Sequence, residues 1–551
     1  MTSAAKRDSA HSGVPGTVPL DLARRRRAMN GAGRDDDGSA IRIKGGEQPR
    51  VVDEAEAALI AAGEPLFIRA GKIVSPITEQ AQAAGDRTTI VARLNPLCAD
   101  ALTDILGRVA TFQRYSEQRQ QWYRVDPPQW IANMLLVRRG RWNIPAIAGV
   151  IAAPTMRPDG SILSIPGYDP TTRLYLLLDP SFSMPPVDAT PSRQRAEEAL
   201  KLLLDLLAEF PFAGEIDRAV ALSGILTSVA RPGLPVVPLH AIRARSAGTG
   251  KSYLIDLCSV IATGRLCPAA TAGKTEEETE KRLGAMLLQG DGIISIDNVN
   301  GELGGDLLCQ ITERTIVRPR ILGKSEAPDI ECRAMVFANG NNLTMVGDMV
   351  RRTVLCTLDA AMERPELRAF SFDPIQKALS ERGTYVAAVL TILRAYRAAG
   401  SPRVCGPIGS YGAWSDTVRS ALVWLGEVDP VKSMETTREE DPDLGAQRGL
   451  FEHWREHLAE GVPYSTTQII EIACERNEID GTYVRPLFRE TLMKRAASRG
   501  LPTVNPVSLG KWLNSINGKV ADKHKIQTLP DNKNGNRYVL YSVRDGGYDA
   551  L

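Results

Sequence analysis

Apolar side chains recur at helical spacing in several long segments of the chain. The strongest periodicity lies in residues 193–210, where one face carries Ala196, Leu200, Leu203, Leu204 and Leu207. The same pattern predicts helices over residues 95–115, 127–139, 216–230, 374–399 and 415–426. Short apolar runs bounded by turn residues predict strands within residues 145–156 and 167–178.

A different pattern begins near residue 236. Buried-looking strand segments, including residues 291–298 and 335–341, now alternate with stretches of helical periodicity. Strands that alternate with helices are typical of an α/β fold with a parallel sheet. We therefore predict a parallel-sheet core that ends near Leu358.

These shifts divide the chain into five predicted segments. Residues 1–50 lack an apolar period and are predicted to be a disordered tail. Residues 51–191 form a mixed α+β N-terminal domain of unknown role, and residues 192–360 form the core with its helical entry. Residues 361–445 form a helical lid and linker, with an acidic linker or exposed loop at 435–444, and residues 446–551 form a C-terminal domain.

The C-terminal domain is predicted to resemble a winged helix. Helices at residues 465–476, 486–499 and 508–516, the last capped by Ser508, precede a hairpin at 525–529 and 537–543. Lys511, Lys533 and Arg537 contribute to its basic character and are candidate DNA contacts. A protein-docking module is the alternative.

Composition narrows the class of protein. The 551 residues are 43% hydrophobic and 24% charged with a net charge of +2, so nucleic-acid binding would depend on local basic patches. Eight cysteines without a CxxC pair argue against a disulfide framework or a cysteine zinc site, and favour a reducing cytoplasm. The longest strongly apolar stretch, residues 144–153, is too short to cross a membrane.

The segment Arg245–Ser252 reads RSAGTGKS and follows a predicted strand. Its glycines, Gly248 and Gly250, let backbone N–H groups surround phosphate oxygens, and a helix N-terminus at Lys251 favours the same anion. Residues 247–252 (Ala247, Gly248, Thr249, Gly250, Lys251 and Ser252) therefore form a predicted P-loop for ATP. Lys251 would reach the β- and γ-phosphates and Ser252 would hold Mg²⁺. Arg245 stands where the usual pattern has a glycine.

The strand at residues 291–298 supplies the second part of this site. In a parallel sheet, its terminal Asp297 would lie beside the magnesium ion held by Ser252. Asn298 follows, where ATPases of this type usually carry a glutamate that orients the attacking water. An amide can orient water but is a poor base, so slow hydrolysis is an open possibility, and Glu302 is a candidate substitute.

Three further features complete the predicted chemistry. Asn339 ends another apolar strand and would reach the γ-phosphate or the attacking water. Arg351 and Arg352 precede the last strand, where either could complete the site of a neighbouring subunit. Residues 315–326 read as a hairpin whose Arg318, Arg320 and Lys324 would contact the phosphates of a threaded strand; a solvated turn is the alternative.

The ordered set Lys251-Ser252, Asp297, Arg318–Lys324, Asn339 and Arg351-Arg352 resembles the superfamily-three helicases, in particular the poxvirus-type primase-helicase group of phages and plasmids. The similarity covers about residues 195–430. It implies an AAA+-like P-loop fold, a homo-hexameric ring, ATP with Mg²⁺, and translocation on single-stranded or forked DNA. No primase site is recognisable, so a separate primase partner is open.

Two other functions remain possible at this point. One is an ATP-binding switch that assembles on an origin or promoter with weak or no hydrolysis. The other is a protein-remodelling ATPase. His453-Trp454-Arg455-Glu456-His457 matches an H-x-x-E-H metalloprotease pattern, but Trp454 and Leu458 favour ordinary packing of this helix.

Overall fold

The computed structural model describes residues 40–82, 88–273, 275–319, 328–498, 501–530 and 535–543. These residues fall into two compact units. The larger unit holds residues 40–343 with Arg352–Ser433, and the smaller holds Thr344–Arg351 with the residues from Met434 onward. No helix in these described ranges combines the length and the apolar character that crossing a membrane would need.

The first part of the larger unit, up to residue 191, is a mixture of small sheets and helices. Its helices are α1 (Gln48–Ala61), α2 (Ala99–Val109) and α3 (Gln129–Val137). Its strands are β1 (Ile41–Ile43), β2 (Phe67–Arg69), β3 (Lys72–Gln82), β4 (Thr88–Pro96), β5 (Phe112–Ser116), β6 (Gln121–Val125), β7 (Gly149–Ile151), β8 (Thr155–Met156), β9 (Ile162–Leu163), β10 (Gly167–Asp169) and β11 (Leu174–Leu176). The three-stranded sheets have the orders β1-β5-β6, β2-β3-β4 and β10-β11-β7.

Two predictions for this region were wrong in part. The prediction of a disordered tail fails from Ile41 onward, because Ile41 packs into the core of this region from strand β1. The apolar alternation of β1 is only three residues long and is therefore a weak signal in the sequence. Residues 1–39 lie outside the described range. The single helix predicted over residues 95–115 is three elements, since β4 runs to Pro96 and Ala110 is extended before β5.

The turn residues of this region behave as the sequence indicated. Asp159 and Asp179 each accept hydrogen bonds from the backbone N–H and hydroxyl of the serine two positions later. Asp169 accepts from Thr172 in the same way and also pairs with Arg157. These contacts are local turn chemistry.

The rest of the larger unit contains the parallel sheet. The helices before and within it are α4 (Arg193–Leu207), α5 (Glu215–Ala230), α6 (Lys251–Thr263), α7 (Glu276–Gln289) and α8 (Asp306–Glu313). The strands along this stretch are β12 (Leu239–Ala244), β13 (Ala269–Thr271), β14 (Ile293–Val299), β15 (Glu302–Leu303), β16 (Ile316–Val317), β17 (Ile330–Glu331), β18 (Met335–Gly340) and, after β19 (Thr344–Met345) of the smaller unit, β20 (Thr353–Leu358).

Five of these strands form one sheet in the order β13-β14-β18-β12-β20, and every pairing in it is parallel. The predicted α/β class with a parallel-sheet core is therefore confirmed. All six residues of β18 are buried, which explains why this strand reads as a continuous apolar run. Because parallel strands end at the same edge, the polar residues at the ends of β14 and β18 and in the loop after β12 share one edge of the sheet.

Buried arginines tie loops to this core. The guanidinium of Arg231 donates to the backbone oxygens of Leu234, Cys332 and Ala334. Burial lowers the pKa of Arg231 to about 10. The three carbonyl oxygens replace the hydrogen bonds to water that the buried guanidinium has lost. Arg69 similarly donates to the backbone oxygens of Ala148 and Leu287, which links the N-terminal sheets to α7.

Helices follow the sheet, as predicted, with two differences. The predicted helix over residues 374–399 is split into α9 (Pro374–Ser380) and α10 (Arg382–Ala398), and α11 covers residues 412–424 with a π-helical turn at Ser415–Arg419. The predicted linker at 435–444 is instead helical, since α12 (Ser433–Glu439) fills its first half and α13 (Pro442–His457) begins in its second. Asp441 caps α13 by accepting from the N–H of Asp443, a cap that the acidic composition concealed.

The smaller unit has its own core and sheet. Its later helices are α14 (Thr466–Ala473), α15 (Pro486–Ala496) and α16 (Pro506–Ser515). Its strands β21 (Tyr464–Ser465), β22 (Val520–Ala521), β23 (His524–Leu529) and β24 (Arg537–Ser542) form an antiparallel sheet in the order β21-β24-β23-β22. The predicted β23–β24 hairpin is confirmed, but α16 begins two residues earlier than expected, with Asn505 rather than Ser508 as its cap.

Candidate nucleotide site

The predicted P-loop joins β12 to α6. Gly248 and Gly250 have φ values of +74° and +101°, a region that side-chain-bearing residues seldom adopt. Thr249 is buried, and its hydroxyl donates to the backbone oxygen of Ser246, which fixes the turn. Ala247 and the unusual Arg245 are exposed. The loop thus delivers its backbone N–H groups at the N-terminus of a thirteen-residue helix.

Lys251 is the first residue of α6, and its amino group lies inside the loop. Its Nζ donates to the backbone oxygen of Ser246 at 3.3 Å and to Oδ1 of Asn341 at 2.7 Å. Burial lowers the pKa of Lys251, while the nearby Asp297 carboxylate acts in the opposite direction. A partly desolvated ammonium held only by neutral oxygens is suited to an anionic ligand.

Ser252 and Asp297 come together across the sheet edge. The Ser252 hydroxyl donates to Oδ1 of Asp297 at 3.2 Å. Both side chains remain partly exposed, so the pair of oxygens is accessible from solvent. A hydroxyl and a carboxylate are ligands that Mg²⁺ uses beside a nucleotide, so the donor set fits this ion.

Asn298 has a strained backbone and an exposed side chain. Its φ is +58°, and the β14–β18 register shifts between Ile296 and Val299 at this point. Asparagine is enriched among residues with such φ values. The bulge turns Asn298 out of the strand at the sheet edge, next to Asp297. Glu302 lies in the separate short strand β15, where its side chain is exposed.

Asn339 is buried beside this bulge, with 2% of its surface exposed. Its Oδ1 accepts the backbone N–H of Asn298 at 3.2 Å. Its Nδ2 is buried without a hydrogen-bond partner. A buried amide donor left unsatisfied costs free energy, so this atom is a marker for a ligand acceptor at the site.

Asn341 is a site residue that the sequence did not single out. It lies two positions after Asn339, inside the polar segment recognised as the end of a strand, and it binds the Lys251 amino group directly. Gly340 between them has no room for a side chain, because a Cβ would lie 1.9 Å from the backbone oxygen of Val299. This close approach of β14 and β18 places both asparagines at the P-loop edge.

A cavity of about 650 Å³ opens beside the P-loop. Gly248, Thr249 and Gly250 form one wall. The other walls carry aromatic side chains from three segments: Phe210, Tyr253, Phe370 and Phe372. The Phe210 and Tyr253 rings lie 6.4 Å apart, and the Tyr253 hydroxyl donates to the Asp373 carboxylate. An aromatic cavity that continues from a phosphate-binding loop is suited to a nucleotide base.

The structure distinguishes the two predicted arginines. Arg352 is 2% exposed and pairs with Glu313 at 2.9 Å within the larger unit. Arg351 belongs to the smaller unit, where its exposed guanidinium pairs with Asp348 three residues earlier. Because an arginine that acts on a neighbouring subunit must be exposed, Arg351 is the better candidate of the two.

The predicted DNA contacts are only partly described. Arg318 is exposed and forms an ion pair with Asp329, beside the antiparallel β16–β17 pair. Arg320 and Lys324, at the tip of the predicted hairpin, lie outside the described residues, as does Lys533. Lys511 is exposed on α16, and Arg537 is half-buried at the start of β24.

The H-x-x-E-H segment is part of α13. Trp454 and Leu458 are buried in the core of the smaller unit, as expected. Glu456 lies 3.4 Å from ring nitrogens of both His453 and His457, so one potential ligand atom from each residue falls within a span of 4.8 Å. The two imidazole rings also pack on Phe488.

No protein-family model matches this chain, and no curated protein sequence matches it. Among solved structures, the chain is similar to the apo form of the NrS-1 C-terminal region, with 11% identity and a TM-score of 0.39 over 88% of this chain and 98% of that one. It is also similar to an active helicase, SCCmec type IV Cch, with 12% identity and a TM-score of 0.33 over 87% and 98% of the two chains. A JCV helicase bound to a small molecule matches 48% of this chain and 73% of its own, with 12% identity and a TM-score of 0.19.

Proposed function

We propose that the protein is an ATP-dependent ring helicase, or DNA translocase, that acts in the replication of a mobile element such as a phage, plasmid or prophage. The observation that carries the proposal is the P-loop edge of the parallel sheet. There the Lys251 ammonium lies within the loop, and the Ser252 hydroxyl meets the Asp297 carboxylate. This is the arrangement needed to hold a triphosphate and its magnesium ion.

The residues present fit ATP and Mg²⁺ as ligands. The backbone of residues 247–252 would surround the phosphates, and Lys251 would exchange its contact with Asn341 for phosphate oxygens. Ser252 and Asp297 would hold Mg²⁺, which neutralises phosphate charge when bound. The aromatic cavity beside Gly248 would take the base.

Asn339 and Asn298 are proposed to act on the γ-phosphate and on the attacking water, respectively. The unpartnered Nδ2 of Asn339 is a donor without an acceptor, and the γ-phosphate would supply one. Asn298 stands exposed next to Asp297, where its amide can orient water by hydrogen bonding. Arg351 would stabilise transition-state charge at the site of the next subunit.

Such an arginine needs a neighbour, so we propose a homo-hexamer closed by head-to-tail contacts. The substrate would be single-stranded or forked DNA, contacted by Arg318, Arg320 and Lys324 within the ring. The C-terminal helices and sheet would form a winged-helix-like module. This module would make a second contact with DNA through Lys511, Lys533 and Arg537. A separate primase is a candidate partner.

Phosphate release from ATP, measured with and without single-stranded DNA, tests the proposal. We expect turnover that DNA stimulates, and strand separation on a forked substrate that a Lys251→Ala variant does not perform. An absence of ATP hydrolysis under both conditions would overturn the motor function. Hydrolysis without any DNA affinity would favour a protein-remodelling ATPase.

Asn298 favours one second candidate, an ATP-binding switch that assembles on an origin or promoter. No carboxylate replaces the usual glutamate at the described sheet edge beside Asp297, so binding without efficient hydrolysis is chemically reasonable. The variant Asn298→Glu separates the two functions. A gain in turnover of about 100-fold over a nearly inactive wild type would support the switch.

A further inference from the structure

The N-terminal sheet β1-β5-β6 has two very different faces. Its central strand β5 pairs in parallel with β1 and antiparallel with β6. Ile41 and Phe112 lie opposite each other on one face and are buried in the core of this region, with Val125 packed beside them. The register therefore turns the intervening residues of all three strands to the opposite face.

That opposite face is basic and aromatic. Arg42, Gln113 and Arg124 are aligned across the three strands, and Tyr115 lies opposite Trp122. The Tyr115 and Trp122 rings meet edge to face at 5.5 Å, and the Arg42 guanidinium lies 5.2 Å from the centre of the Trp122 ring. Arg42, Tyr115 and Arg124 are exposed. We call this surface the Arg42–Trp122 face.

The surrounding charges are nearly all of one sign. Four cations lie on or beside this face against a single carboxylate, Glu117; the cations are Arg42, Lys44 after β1, Arg119 in the β5–β6 turn and Arg124. Arg114 lies on the opposite face, in register with Tyr123. None of these four side chains forms an ion pair or a hydrogen bond with another residue in the described ranges. Nearby Arg50 and Arg108, by contrast, are each paired with carboxylates.

We propose that the Arg42–Trp122 face binds single-stranded nucleic acid. Four cations without counterions complement a polyanion, and exposed rings on a sheet provide stacking partners for bases. Bases in a duplex are already stacked on their neighbours, so ring stacking selects a single strand. This site lies outside the residues assigned to nucleotide and DNA above, and it gives the N-terminal region a role of its own.

Anisotropy of a fluorescent twenty-nucleotide oligo-dT, titrated with the full-length protein without ATP, tests this site. The variant Arg42→Gln/Arg124→Gln is expected to bind about 10-fold more weakly. It should also reduce the slope of log affinity against log salt by about 1.4, because two phosphate contacts are lost. Arg108→Gln/Arg138→Gln removes the same charge from the same region, at arginines paired with Asp104 and Asp53, and should change neither quantity.

The aromatic pair is tested separately. Tyr115→Leu/Trp122→Leu keeps the strands apolar and should weaken binding about 10-fold without changing the salt slope, since only stacking is lost. Tyr115→Phe/Trp122→Phe should retain most of the affinity, which excludes misfolding as the cause. Photocrosslinking to bromodeoxyuridine DNA should label Tyr115 or Trp122.

Three results would overturn the proposal: unchanged affinity in both the glutamine and the leucine pairs, tighter binding of a blunt duplex than of oligo-dT, or crosslinks confined to other regions. An oligo-U arm distinguishes RNA from DNA as the preferred strand. Repeating the titration with Lys251→Ala separates this site from the proposed motor. Binding should persist in that variant, because the Arg42–Trp122 face does not depend on ATP.

Discussion

The Ser252 hydroxyl donates to the Asp297 carboxylate at 3.2 Å, although the two residues are 45 positions apart in the chain. Ser252 belongs to the helix that follows β12, and Asp297 belongs to β14, with β18 between the two strands in the sheet. Parallel pairing brings them to the same edge.

Asn339→Asp is predicted to separate ATP from ADP binding. The substitution keeps an oxygen to accept the Asn298 N–H but replaces the unpartnered amide donor with an anion. If that donor faces the γ-phosphate, charge repulsion should weaken ATP binding about 10-fold or more and leave ADP binding nearly unchanged. Calorimetric titration measures both, with Asn342→Asp as an exposed control. Equal losses for both nucleotides would place Asn339 away from the γ-phosphate.

Asn298→Gly is predicted to slow hydrolysis without weakening ATP binding. Glycine adopts the +58° φ of this position easily, so the backbone is preserved while the amide that would orient water is removed. We expect kcat to fall about 10-fold and KM to change little. A steady-state assay with an unchanged kcat would show that the amide takes no part in the reaction.

Arg351→Ala and Lys251→Ala are predicted to complement each other. Each variant alone should hydrolyse ATP at least 10-fold more slowly than the wild type. In a mixed ring, a subunit with an intact P-loop can stand next to one with an intact Arg351, so mixing should restore part of the activity. An assay over a range of mixing ratios detects this recovery. No recovery at any ratio would argue that Arg351 acts within its own subunit or not at all.

His240 is predicted to make stability depend on pH. The ring is fully buried, contacts the Ser223 hydroxyl at 2.9 Å and the Pro238 oxygen at 3.2 Å, and has a pKa lowered by burial from 6.5 to about 4. Between these values the unfolded chain takes up a proton that the folded chain does not. Burial of the neutral ring therefore leaves the free energy of unfolding unaffected above pH 6.5. As the pH falls from 6.5 toward 4, the free energy of unfolding decreases, because only the unfolded chain gains this proton.

The size of this effect is about 3 kcal/mol, from the two pKa values. Urea unfolding of the wild type and of His240→Gln, from pH 7 down to pH 4.5, isolates it by difference. The wild type should lose more of its free energy of unfolding than the variant does. Parallel curves would mean that His240 is protonated as easily in the folded protein as in the unfolded chain.

The sequence predicted best the parts of the fold that depend on local pattern. The P-loop strand and helix, the buried strands that end near Asp297 and Asn339, and the β23–β24 hairpin each have a period or turn that identifies them. The N-cap of α16 is Asn505 and not the predicted Ser508. Both residue types cap helices well, and the pattern alone does not choose between them.

Other features depend on contacts between distant segments, which no local pattern encodes. Asn341 contacts Lys251 only because Gly340 allows β14 and β18 to approach closely. The burial of Arg352 depends on Glu313, 39 residues earlier. The aromatic cavity likewise combines Phe210, Tyr253 and Phe370 from three separate segments. The limits of the other four predicted domains remain predictions.

The affinity of the full-length protein for Mg-ATP, compared between the wild type and Lys251→Ala by calorimetric titration, tests the nucleotide site most directly. Loss of the Lys251 ammonium from the P-loop should weaken binding at least 10-fold, while the free energy of unfolding changes little because this side chain is only half-buried. Equal affinity for Mg-ATP in the two proteins would contradict the assignment of this loop as the phosphate site, and with it the proposed motor.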